Sequence, residues 1–231
     1  MSGCENSPSC RIISLVKTRH IAAVVLLAAA LVFSRDKAFN PPPAGAATSY
    51  PAHETHDEEK VTIAIDPFTS ADKAAVFRVK YKDYGFLPVR LIITNDANQP
   101  LMLDSMKVEL VTGDRVKLQP STRDDIFRRL SRPEKAASSS KVPLPIPLPH
   151  DKDPVGKVAR DEVPLAMFSN VPVTPHSTNA GFLFFDVAGL EDAETGAHLY
   201  VSGIKAGTQE LFYFDIPMPA KSPEANPAPT K

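Results

Sequence analysis

Side chains able to do chemistry are sparse in this chain of 231 residues, and their spacing decides what each could do. The one run that mixes histidines with carboxylates is His53-Glu54-Thr55-His56-Asp57-Glu58-Glu59. A zinc-protease helix needs histidines four apart, so that both reach one metal from the same face. Here they are three apart and follow a proline, so the run reads as a solvated acidic spacer. His150-Asp151-Lys152-Asp153 reads in the same way as a polar loop. Asp66, Asp186 and Asp215 fall at strand ends, where a glycosidase would place two carboxylates on either side of one bond. Aspartate at a strand end is also a common turn former, and that role suffices. His176 and His198 are expected near the last sheet, as packed or surface histidines.

The familiar nucleophile and phosphate loops are absent: there is no G-x-S-x-G elbow, no P-loop and no G-x-G-x-x-G. The two cysteines, Cys4 and Cys10, both precede an apolar run. The chain beyond that run has no thiol nucleophile and no disulfide, so its stability must come from a hydrophobic core. No catalytic, cofactor-binding or metal-binding residue is assigned, and the expectation is a protein that is not an enzyme and holds no cofactor. Six aromatics, Phe182, Phe184, Phe185, Phe212, Tyr213 and Phe214, would serve as a sugar or peptide platform. Burying each stabilises a fold by about 2–3 kcal/mol, and no tryptophan is present to stack on a sugar. A core role is expected of all six.

The elements that must carry these residues begin with a targeting segment. Ile21 to Phe33 are apolar without a charge and follow Arg11, Lys17, Arg19 and His20. That layout predicts a signal sequence or membrane anchor over 1–34, with the rest of the chain outside the cytoplasm. If uncleaved, residues 21–33 would make the membrane a partner. Net charge of −1 gives no basic face for phosphates, so nucleic acid is not expected. Residues 35–59 and 218–231 are polar and proline-bearing, and predict a flexible linker and a disordered tail.

Between them, residues 60–217 read as one mostly β domain. Val61, Ile63 and Ile65 alternate with polar or small neighbours, Phe77, Val79 and Tyr81 alternate after a short helix from Ser70, and residues 87–94 and 106–112 add two more strands. Three further strands, 180–187, 198–204 and 210–216, suggest an antiparallel meander. Within an insertion at 121–168, Asp124 and Asp125 near the start and Arg128 and Arg129 near the end predict a helix that suits its own dipole. A weaker helix spans 157–168. Between the two helices, KVPLPIPLPH has proline at every second position from 143 to 149. This spacing excludes a central strand and favours polyproline II. Leu144, Ile146 and Leu148 argue for a connector packed on the domain; the other reading is a ligand for an aromatic-lined groove.

GFLPVRLIITNDANQPLMLDSMKVEL, then PHSTNAGFLFFDVAGL and LFYFDIP, resemble an uncharacterised family of acidobacterial exported proteins. They are similar, more loosely, to immunoglobulin-like domains of bacterial envelope proteins. The resemblance covers about residues 60–217 and implies an immunoglobulin-like antiparallel β-sandwich with short helices and a proline-rich insertion, preceded by the N-terminal hydrophobic helix. It implies no activity. The expectation is a non-enzymatic interaction or assembly module of the bacterial envelope, exported or membrane-anchored, with another envelope protein as partner. The alternative is an extracytoplasmic domain that binds a small ligand or carbohydrate through its loops.

Overall fold

A computed structural model describes residues 39–131 and 154–219. The apolar segment 21–33, the proline-rich stretch 142–149, the loop at His150 and the tail from residue 220 lie outside the described residues. Among the described residues no helix is long and apolar enough to cross a membrane.

Alternating side chains build two four-stranded sheets. The first joins β1 (Ala52–His56), β2 (Val61–Pro67), β3 (Phe86–Asn95) and β7 (Ser177–Asp186) in the order β1-β2-β3-β7. The second is made of β5 (Lys107–Val111), β6 (Lys117–Leu118), β8 (His198–Ser202) and β11 (Phe214–Pro217), in the order β11-β8-β5-β6. Short strands β4 (Leu101–Met102), β9 (Lys205–Ala206) and β10 (Gln209–Glu210) form a third, smaller ladder. All these strand pairs are antiparallel. Ile63, Leu91 and Phe185 of the first sheet share one core with Leu110, Val201 and Phe214 of the second. The protein is thus mostly β, with antiparallel sheets packed as a sandwich requires.

The first sheet is buried on its other face too. Phe182 and Phe184 point there, packed with Ile126 and Leu130 of α2 (Arg123–Ser131) and Ala159 and Val163 of α3 (Pro154–Ala166). A short helix, α1 (Ala71–Ala74), capped by the Ser70 hydroxyl, precedes the loop that carries Phe77. Phe182 meets Phe68 edge-on at 4.7 Å and Phe77 at 4.8 Å between ring centroids. This accounts for the unbroken run Phe182-Leu183-Phe184-Phe185: each face of the strand has a core of its own. α2 begins with a reciprocal cap, in which Thr122 Oγ1 accepts from the Asp125 amide at 3.2 Å and Asp125 Oδ2 accepts from the Thr122 amide at 3.3 Å.

Several expectations are corrected. Residues 39–59 are not a flexible linker: Phe39 stacks on Phe77 at 5.7 Å, and His53 to His56 form part of β1, paired to β2. Arg90, buried on β3, donates to the carbonyls of Pro42 and Pro43, and the Ala47 amide donates to Thr94 Oγ1 at 2.8 Å. Proline-rich composition suggested disorder, but proline carbonyls are good acceptors and a buried guanidinium needs them. Phe77 to Tyr81 do not continue a strand; a 3-10 helix at Tyr81–Tyr84 turns their side chains into the helix-side core. The last strands are not a meander, because β7 pairs with β3 while β8 pairs with β5 and β11. Met218 is core, its amide donating to Ala197 O at 2.8 Å, so the start of the expected tail belongs to the fold.

Candidate interaction face

The alternation that buries Leu199 and Val201 of β8, and Phe214 and Ile216 of β11, turns His198, Tyr200 and Asp215 to the opposite, solvent side of the second sheet. Tyr200 sits opposite Asp215 on one neighbour and opposite Glu109 on the other. His198 Nδ1 donates to Asp215 Oδ1 at 2.7 Å. The His198 and Tyr200 rings lie 6.3 Å apart and nearly parallel, and Tyr213 is a further 6.3 Å from Tyr200. Tyr213 is 60% exposed and Phe212, beside it, 79%. Partial desolvation, and then the charge and hydrogen bond of Asp215, hold the Tyr200 phenol above its ordinary range. It therefore presents a neutral hydroxyl at physiological pH.

One edge of this face is tied to the first sheet. Glu54 of β1 accepts from the Asp215 amide through Oε2, while its Oε1 lies 3.6 Å from His56 Nε2. The His56 ring stacks on Phe214 at 3.8 Å. The strand period puts His53 on the other side of β1, with its Nδ1 2.6 Å from Tyr50 O. The two histidines of the His53–Glu59 run therefore cannot share a metal, and among the described residues no group of three or more metal-binding side chains is assembled.

The three strand-end aspartates each have a separate partner. Asp66 pairs with Lys73, Asp186 with Arg129, and Asp215 with His198. Asp66 and Asp186 belong to the first sheet and Asp215 to the second, so no carboxylate pair flanks a common space. His176 and His198 do not meet either. His176 Nε2 lies 3.1 Å from Asn98 Oδ1 at the end of the first sheet. A cleft of about 650 Å³ beside α2 is lined by Gln119, Ser121, Thr122, Arg128 and Arg129, but both arginines are engaged, Arg128 with Asp125 at 3.2 Å and Arg129 with Asp186.

Of the six aromatics expected in the core, Phe182, Phe184, Phe185 and Phe214 are there. Phe212 and Tyr213 are not, because β11 begins only at Phe214 and the two residues before it lie beyond the sheet. Tyr200 was not singled out in the sequence at all. The available signal was LFYF at 211–214: four consecutive apolar side chains on a strand buried on one face alone must leave some in water.

No family model matches the chain, and no curated protein matches it. Among solved structures it is similar to a functionally unknown protein from Listeria monocytogenes EGD-e, at 13% identity over 69% of this chain and 73% of that one, with a TM-score of 0.29, too distant a likeness to carry fold or function.

Proposed function

We propose that this chain is a non-enzymatic interaction or assembly module of the bacterial envelope, exported or anchored through its N-terminal apolar segment, and built on an immunoglobulin-like sandwich. The strand order supports the fold. With β1 set aside as an added edge strand, β2-β3-β7 faces β11-β8-β5-β6. Taken as A, B, C, C′, E, F and G in chain order, these are the sheets A-B-E and G-F-C-C′, the immunoglobulin arrangement with its fourth strand moved to the second sheet. The observation that supports the role is the open face of that second sheet. His198, Tyr200, Tyr213 and Phe212 stand there in water although the cores have taken the other large rings of these strands. Tyrosine and phenylalanine at an open surface are the composition of a protein-binding patch.

A photo-cross-linking amino acid at position 212 or 213, introduced into growing cells, should give discrete adducts with an envelope protein. The same residue at Leu165, exposed on the helix side, should not. Equal adducts from all three positions, or none, would remove the face from consideration.

A further inference from the structure

We propose that the aromatic row on the outer face of the second sheet is the docking site for the proline-rich segment 142–149 of a second copy of this chain. The inference rests on the interaction-module reading and names its partner. Three features carry it: the chemistry of the row, the chemistry of the segment, and the length of chain that joins the segment to the fold.

The row has the make-up of a polyproline groove. Such grooves are lined by aromatic side chains with polar tips, which bury proline rings and keep donors for the free carbonyls of an extended chain. Tyr200 and Tyr213 supply two rings with hydroxyls, and His198 a third ring, spaced 6.3 and 6.3 Å. A polyproline II chain advances about 3.1 Å per residue, so each Xaa-Pro unit covers about 6.2 Å of axis. The segment reads VPLPIPLP, four such units in succession. Its threefold turn presents either proline or an aliphatic side chain on every ridge, so an apolar contact is available at each ring. Glu109 and Asp215 flank Tyr200, and Lys141 directly precedes the segment, which matches the charges as well.

Length excludes the chain's own face. α3 starts at Pro154, and its Val155 packs with the helix-side core on the outer side of the first sheet. The aromatic row lies on the outer side of the second sheet. Straight through the molecule, that separation is a helix radius of about 5–6 Å, then the first sheet, then a full sheet spacing of about 10 Å, then the side chains of the row. The path must go round an edge and is longer still. Only four residues, His150 to Asp153, join Pro149 to Pro154. Five Cα steps reach at most about 18 Å. The occupant is therefore the segment of another copy. Because a face on one molecule meets a segment on the next, the contact is heterologous and adds copies head to tail.

Complementation tests this on the full chain in mild detergent. One variant removes the face, Tyr200→Ser with Tyr213→Ser, and another removes the ligand, Leu144→Ser with Ile146→Ser and Leu148→Ser. In sedimentation velocity the parent should grow through a series of oligomers with concentration, and each variant alone should stay monomeric. Mixed in equal amounts, the two variants should form a 1:1 dimer that goes no further, since only one intact contact remains. A labelled peptide of residues 140–152 should saturate the parent in fluorescence anisotropy and bind the face variant at least tenfold more weakly. A monomeric parent, equal peptide binding to parent and face variant, or growth of the mixture beyond a dimer would overturn the proposal. So would a ligand variant that melts several degrees below the parent, because that segment would then pack on its own domain. Adducts from position 213 to an unrelated protein, with no peptide binding, would overturn it while leaving the interaction-module reading in place.

Discussion

Tyr81 offers a measurement whose size follows from one buried contact. Its side chain is 2% exposed in the helix-side core, and its hydroxyl donates to Glu162 Oε1 at 3.0 Å. Glu162, on α3 and 1% exposed, accepts through Oε2 from the Arg78 amide at 2.7 Å. Burial first, and then the charge of Glu162 and its hydrogen bond, push the Tyr81 phenol far above its ordinary value of 10.0. The sign follows from linkage. The folded form holds its proton to higher pH than the unfolded chain, so the stabilisation is complete below about pH 10 and is lost as pH rises further. One proton released only on unfolding changes the stability by about 1.4 kcal/mol per pH unit. Tyr81→Phe removes that proton and, at pH 8, costs about 1–3 kcal/mol because Glu162 keeps a lone pair without its donor. Urea unfolding of parent and variant at pH 8, 10, 11 and 11.5 isolates the effect, since other titrations cancel in the difference. The stability gap should be constant to about pH 10 and then close by about 2 kcal/mol by pH 11.5. A gap that stays constant through pH 11.5 would refute the buried donor, for Tyr81 would then titrate as it does in the unfolded chain.

Phe184→Ala and Phe185→Ala should each cost about 3–5 kcal/mol, because the two rings fill different cores on opposite faces of β7; Phe212→Ala should leave the melting temperature unchanged. Arg90→Met should make chymotrypsin cut at Phe39 and Tyr50 about tenfold faster or more, since the carbonyls of Pro42 and Pro43 lose their donor. Gly181→Val should cost about 1–3 kcal/mol or more in a urea melt: a Cβ at Gly181 would stand 2.4 Å from the Phe168 backbone, which bonds to the same strand through Phe182. Alkaline phosphatase fused after Lys231 should be active if the chain is exported, and well-expressed but inactive fusions would count against it.

The strands that came through in the sequence are those buried on one face, where alternation is the physical requirement. Val61, Ile63 and Ile65 had to share a side, and they do. α2 was legible for a different reason, as its acidic start and basic end are local electrostatics. What was not legible is whatever depends on a distant acceptor. Nothing near Pro42 announces that a guanidinium from β3 will claim its carbonyl, so the segment read as free chain. The sheet exchange of the last strands was hidden similarly. Loop composition between β7 and β8 marks a turn, but it does not state whether the next strand pairs with the last one or crosses to the other sheet.

The surface was harder to read than the core, because core residues are constrained by type and surface residues mainly by position. Phe212 and Phe214 are the same amino acid two places apart, and an unbroken strand would put both on one face. Pairing of β11 with β8 starts at Phe214 opposite Val201, so Phe214 is in the core and Phe212 is beyond the last rung. A single residue of register decides which ring is buried and which is offered to a partner. Register in turn is set by the inward side chains Phe214 and Ile216, which have only one core to enter. The exposed row at Tyr200 and Tyr213 is thus positioned by its buried neighbours, and its binding can be altered from outside without loss of the fold.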